Sequence, residues 1–197
     1  MDRPTAPEVS TVIRSMAVAL LTSVATLIGV VPAPPVGAAQ PAAAIDYGGP
    51  IGRTVVVQRA LDWLRRDIAY SQDNRRATWD VNRGRRYRPD CSGLISMAWA
   101  VNPGRRGLGR ALVTWELPQV STRVGWARLR RGDILLYLEP ADRAREHVQL
   151  FTGWVDRART RAWIIEHSGT THGMRRRTVA VSTARRLYVP YRYHRIR

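Results

Sequence analysis

Midway along the chain the hydrophobic pattern changes period, and that change leaves few folds open. Residues 54–68, TVVVQRALDWLRRDI, repeat apolar side chains at Val57, Leu61, Leu64 and Ile68, with Ala60 beside them. This is the period of a helix with one buried face, and it puts Arg59, Arg65 and Arg66 on the solvent side. From Cys91 helical spacing resumes through Leu94, Ile95, Ala98 and Trp99, until the Pro and Gly of VNPGRRG end it. Later come short segments rich in β-branched and aromatic residues, at 132–139, 147–154, 161–167, 176–181 and 187–193. Turn-like stretches separate them, which predicts a meandering antiparallel sheet. Helices first and strands afterwards predict an α+β domain in which helix packs on sheet. Between the helices, residues 69–90 are polar and rich in Asn, Asp, Gly and Arg. They read as a long loop, and such loops in compact domains are often functional.

The N-terminus bears on the compartment. After Arg14, residues 15–31 form an uncharged apolar run, followed by small residues and a Val-x-Ala site ending at Ala38. That order predicts a secretory signal peptide over residues 1–38. The rival is an uncleaved anchor, since the run is near the shortest length for a span. The Pro- and Ala-rich sequence that follows favours cleavage, which leaves no stable membrane span. Either way the remainder is extracytoplasmic, secreted or associated with the cell wall. Residues 39–53 are expected to be a short disordered lead, and residues 54–197 a single domain with its own core.

The formal net charge is +17, and all 32 basic residues are arginine. They are spread along the chain, so the surface is expected to be basic and solvated, with an attraction for polyanions. Outside a cell that partner is an anionic wall polymer or a membrane. The tail YVPYRYHRIR interleaves aromatics with arginine in a way that would suit nucleic acid, but export argues against that partner.

Cys91 is the only cysteine, so it makes no internal disulfide. It stands at the polar start of the second helix, in YRPDCSGLISMAW. A thiol in a helix's first turn meets unpaired backbone N–H groups and the positive end of the dipole, a setting that suits a nucleophile. It also needs a base. Of the four histidines, His147 opens a predicted strand after the charged loop EPADRARE, His167 ends the next strand, His172 lies in a Gly/Thr loop and His194 in the tail. Paired cysteines and His-x-x-x-His are absent, so neither a metal nor another cofactor is expected. A helix-start Cys, a strand-start His and a polar residue on the following strand together reproduce a nucleophile, a base and an orienting group.

In that order, YRPDCSGLISMAW, RRGDILLY, HVQLFTGW and IIEHSG resemble the NlpC/p60 family of cell-wall cysteine peptidases and the related CHAP amidases. The resemblance covers approximately residues 54–197. It implies a papain-like α+β fold, with Cys91 as nucleophile and His147 as general base. Tyr70 matches a tyrosine thought to assist the oxyanion hole, although it also reads as a half-buried tyrosine at a helix end. Asp90 and Ser92 would line the substrate groove and bind amine or amide groups. The other reading of Asp90 is a helix cap.

Glu166 and His167 compete for the third role, because adjacent strand residues point to opposite faces. The NlpC/p60 pattern favours His167, and the CHAP pattern favours a glutamate; the register of IIE leads us to expect Glu166. The glycine pair that often follows the family's tyrosine is missing, and the loop to Cys91 is longer and rich in arginine. The resulting expectation is an exported cysteine hydrolase acting on peptidoglycan stem peptides, at the bond between D-glutamate and the diamino acid. The rivals are a non-catalytic basic module that grips wall or membrane polyanions, and an acyltransferase or amidase using the same Cys-His site.

Overall fold

Helix α1, Arg53–Arg65, forms where the apolar period is strongest, and it buries Val56, Val57, Ala60 and Trp63. It stops short of Ile68, because Asp67 turns into the left-handed region at φ 46°. Arg59 corrects the expected solvent face: it is 1% exposed. Its Nε donates to the Met97 carbonyl at 2.9 Å, Nη1 to Asn82 Oδ1 at 2.6 Å and Nη2 to Asp80 Oδ2 at 2.8 Å. A buried charge is tolerated where it is paired and its donors are satisfied.

The computed structural model describes residues 44–102, 111–170 and 173–197. The expected signal peptide, the first part of the expected lead and His172 lie outside them. The described part of the lead makes contacts with the domain. Ile51 is buried, bridges to Ile196, and its N–H donates to the Arg195 carbonyl at 2.9 Å. Tyr47 O–H donates to Asp80 Oδ2 at 2.6 Å. Side chains that reach the core and buried acceptors hold the segment down, despite its simple composition.

The expected long loop contains a two-stranded antiparallel ribbon, β1 (Thr78–Trp79) and β2 (Arg86–Tyr87). Asp80 shapes its turn by accepting from the Gly84 N–H at 3.0 Å. Tyr87 anchors its exit, donating from a fully buried hydroxyl to the Val101 carbonyl at 2.8 Å. Helix α2, Cys91–Ala98, follows and is buried along its whole length. It ends earlier than the VNPGRRG signal suggests. Ala100 takes φ 51°, its N–H reaches the Met97 carbonyl, and the Val101 N–H reaches that of Ser96. This is the Schellman closure, made with alanine where glycine is usual.

The remaining elements are β3 (Ser121–Arg123), β4 (Ile134–Tyr137), β5 (His147–Trp154), β6 (Arg161–Ser168), β7 (Gly173–Ala180), α3 (Val181–Ala184) and β8 (Val189–Tyr193). The six strands form one antiparallel sheet in the order β3-β8-β4-β5-β6-β7. The fold is α+β, with Cys91 at the start of α2 and the helices packed on the sheet. The meander holds from β4 to β7, but β8 returns to lie between β4 and a short edge strand that the sequence pattern does not reveal. Val148, Leu150 and Ile165 meet the helices in the main core, while Leu135, Phe151 and Ile164 belong to a smaller cluster.

The Gly-Asp turn into β4 ties these parts together. Asp133 is fully buried and accepts from Arg53 Nη1 at 3.0 Å, Arg192 Nη2 at 2.7 Å and the Arg130 N–H at 2.8 Å. Gly132 takes φ 89°, and a Cβ there would come within 2.8 Å of Ile196 Cδ1. Its carbonyl accepts from Trp99 Nε1 at 2.9 Å. Among the described residues no helix is long and apolar enough to cross a membrane.

Candidate active site

The Asp-Cys-Ser-Gly step is built by a tight approach of backbone to backbone. Asp90 caps α2 by accepting from the Gly93 N–H at 2.7 Å, as its sequence position allows. A Cβ on Gly93 would lie 1.7 Å from the Arg88 carbonyl oxygen, so only glycine fits there. Arg88 Nε donates to Asp90 Oδ2 at 2.6 Å, and both residues are buried. Burial nevertheless raises the Asp90 pKa, outweighing Arg88 and the other donors. Ser92 is 1% exposed and receives Arg88 Nη2 at 3.3 Å. Asp90 and Ser92 are thus both buried, and neither is among the residues that line the cleft around Cys91.

Cys91 occupies the first position of α2, with Sγ 3.8 Å from Thr114 Oγ1. It lines an open cleft of about 650 Å³ together with Tyr70, His147, Glu166, Arg145, Arg177 and Tyr188. His147, the first residue of β5, hydrogen-bonds Glu166 and lines the same cleft as Cys91. Its Nε2 lies 2.9 Å from Glu166 Oε2. Burial pulls the His147 pKa down, but hydrogen bonds and negative charge from Cys91 and Glu166 outweigh it and raise the pKa to about 9.

Glu166 is held on three sides. Oε2 also accepts from Gln149 Nε2 at 3.0 Å, and Oε1 accepts from Arg177 Nε at 2.5 Å. Burial would raise its pKa, yet His147 and Arg177 lower it to about 2. It is a carboxylate throughout the neutral range.

His167 lies on the opposite face of β6, fully buried and edge-on to Trp63 and Tyr70, with centroids 6.2 and 5.4 Å away. Neither ring nitrogen makes a hydrogen bond of ordinary geometry. Burial lowers its pKa to about 4, against the opposing effects of the Ile68 backbone and Asp67. The geometry thus brings Glu166, and not His167, to His147.

Tyr70 lines the cleft, and its hydroxyl accepts from Gln72 Nε2 at 3.1 Å. Burial first, then the negative charges of Cys91 and Asp90, raise its pKa to about 12, so it stays a proton-bearing donor. Gly169 lets its ring lie close, since a Cβ there would approach Tyr70 Cε1 to 3.1 Å.

Sequence reasoning missed Thr114, Gln149, Arg177 and Arg88. Gln149 carried a signal, because it stands two residues after His147 on one strand and so shares its face. Arg177 depends on a neighbouring strand's register, in which Ile164 pairs with Arg177 and Glu166 with Arg175. Among the described residues no group of three or more His, Cys, Asp or Glu is arranged to hold a metal.

No known family model matches the chain, and no curated protein matches it. Among solved structures it is similar to one described as the crystal structure of Ly7917, with 16% sequence identity and a TM-score of 0.40. The match covers 68% of this chain and 61% of that one.

Proposed function

We propose that this chain is an exported cysteine hydrolase that cleaves an amide bond in peptidoglycan stem peptides, between D-glutamate and the diamino acid. The observation that carries this reading is the His147 ring, held by Glu166 and lining the same open cleft as Cys91. Cys91 attacks the carbonyl carbon as a thiolate, forming the C–S bond and a tetrahedral oxyanion. The Cys91 backbone N–H and the Tyr70 hydroxyl donate to that oxyanion. Protonated His147 gives its proton to the leaving amine as the C–N bond breaks. Water, deprotonated by the same imidazole, then releases the acyl group. Glu166 keeps the ring in one orientation and stabilises the imidazolium. The substrate class comes from the NlpC/p60 resemblance, and the basic surface supports retention on anionic wall polymers.

The test is mass analysis of fragments released from purified peptidoglycan. The protein should release fragments ending in the D-glutamyl carboxyl, and Cys91→Ser should release none. Undiminished release by Cys91→Ser, or no release by the unaltered protein, would overturn the reading.

A further inference from the structure

Charge around the Cys91 cleft is lopsided. Its two carboxylates each have a cation, Glu166 taking His147, Gln149 and Arg177, and Glu146 taking Arg143 on Oε1 while its buried Oε2 makes no hydrogen bond among the described residues. Asp90 is closed off behind the helix start by Arg88 and the Gly93 amide. Two guanidinium groups line the same space with donors to spare. Arg177 gives Nε to Glu166, its side chain is 45% exposed, and its terminal nitrogens have no partner among the described residues. Arg145, two residues before His147, is exposed and has no side-chain partner among the described residues.

We propose that this cleft selects substrates with a free carboxylate beside the bond that is cut, and that Arg177 and Arg145 receive it. The inference rests on the hydrolase reading above and makes Arg177 a specificity-determining residue. The contact with Glu166 fixes the guanidinium plane, so its remaining N–H groups form a fork set in advance for two carboxylate oxygens. Pre-ordering of this kind lowers the entropy cost of binding. A carboxamide in the same place presents less charge and brings donors of its own against the guanidinium. An ammonium finds repulsion there, because every nearby acid already has a cation or donor.

The experiment compares two γ-D-glutamyl-lysine peptides that differ only in a free or amidated glutamate α-carboxylate. Two readouts are taken with the full chain: kcat/KM, and protection of Cys91 from iodoacetamide by each peptide. A hydrogen bond to a charged group predicts a preference for the acid of about tenfold or more. Arg145→Gln and Arg177→Gln should each shrink that ratio, and the double variant should bring it near one. A purely structural role for Arg177 would lower both rates and leave the ratio unchanged, which overturns the proposal. Equal cleavage of the two peptides by the unaltered protein overturns it while the hydrolase reading stands. If neither peptide is cut but the acid alone protects Cys91, the hydrolase reading falls and the carboxylate site survives. If neither is cut and neither protects, the proposal falls as well.

Discussion

Glu166→Gln keeps the shape of the side chain that holds His147 and removes its charge. In the native site Oε2 lies 2.9 Å from His147 Nε2, and with Cys91 it keeps the imidazole pKa at about 9 in spite of burial. A hydrogen bond to a charged group contributes about 1.5–3 kcal/mol, and one pH unit corresponds to about 1.4 kcal/mol. Losing the carboxylate should therefore lower the His147 pKa by about one to two pH units, because the imidazolium loses an anionic partner. Arg177 pushes in the same direction, since its positive charge is no longer compensated by the group between it and the ring. The assay is the pH dependence of kcat/KM, whose alkaline limb marks loss of the imidazolium proton that the leaving amine needs. That limb should move from about 9 to about 7–8. His167→Gln, on the far side of β6, should leave it in place. An alkaline limb that stays still or moves upward in Glu166→Gln would refute the idea that this carboxylate holds the base.

His167 should report instead on acid stability. Unfolded, it takes a proton near 6.5, but in the core not until about 4. The unfolded state thus binds more protons in that window, and stability falls as pH drops through it, by about 3 kcal/mol in all. Urea titrations of His167→Gln should show a flatter pH dependence between those limits, and an unchanged slope would sink the argument. Gly93→Ala places a Cβ 1.7 Å from the Arg88 carbonyl oxygen, so it should cost about 3 kcal/mol or more and slow alkylation of Cys91 by displacing the helix start. Native-like melting of that variant would show that the approach relaxes freely. Asp133→Ala strands Arg192 and Arg53 without their shared carboxylate and should cost about 3–5 kcal/mol in chemical denaturation; a loss below about 1 kcal/mol would mean that water replaces it.

The sequence revealed the parts whose physics is local. The cap at Asp90, the change of period and the strand-opening position of His147 are all set within a few residues, and the register of IIE pointed to Glu166. What escaped was set by distant partners. Arg59 looks like a solvent residue until Asp80 and Asn82 arrive from a ribbon more than twenty residues away. The burial of Asp90 shows only once Arg88 folds back over it. The placement of β8 and the pairing of Arg177 with Glu166 depend on which strands become neighbours, and periodicity within one strand does not encode that choice. Ala100 in the left-handed region broke the usual glycine rule for helix ends, because the closing hydrogen bonds outweigh the steric cost at that position.

The position of β8 also has a consequence for biosynthesis. β4 pairs with β5 on one side and β8 on the other, yet β8 follows the other described strands of this sheet in chain order. During translation, the hairpins from β4 to β7 leave the ribosome first, with one side of β4 open to the wrong partner. Closure waits for residues 189–193, and the contacts they make are long in sequence and slow to form. Until those residues pair, that edge of β4 stays bare. The same order of events makes residues 189–193 a timing element: the domain cannot commit to its final shape until they are made.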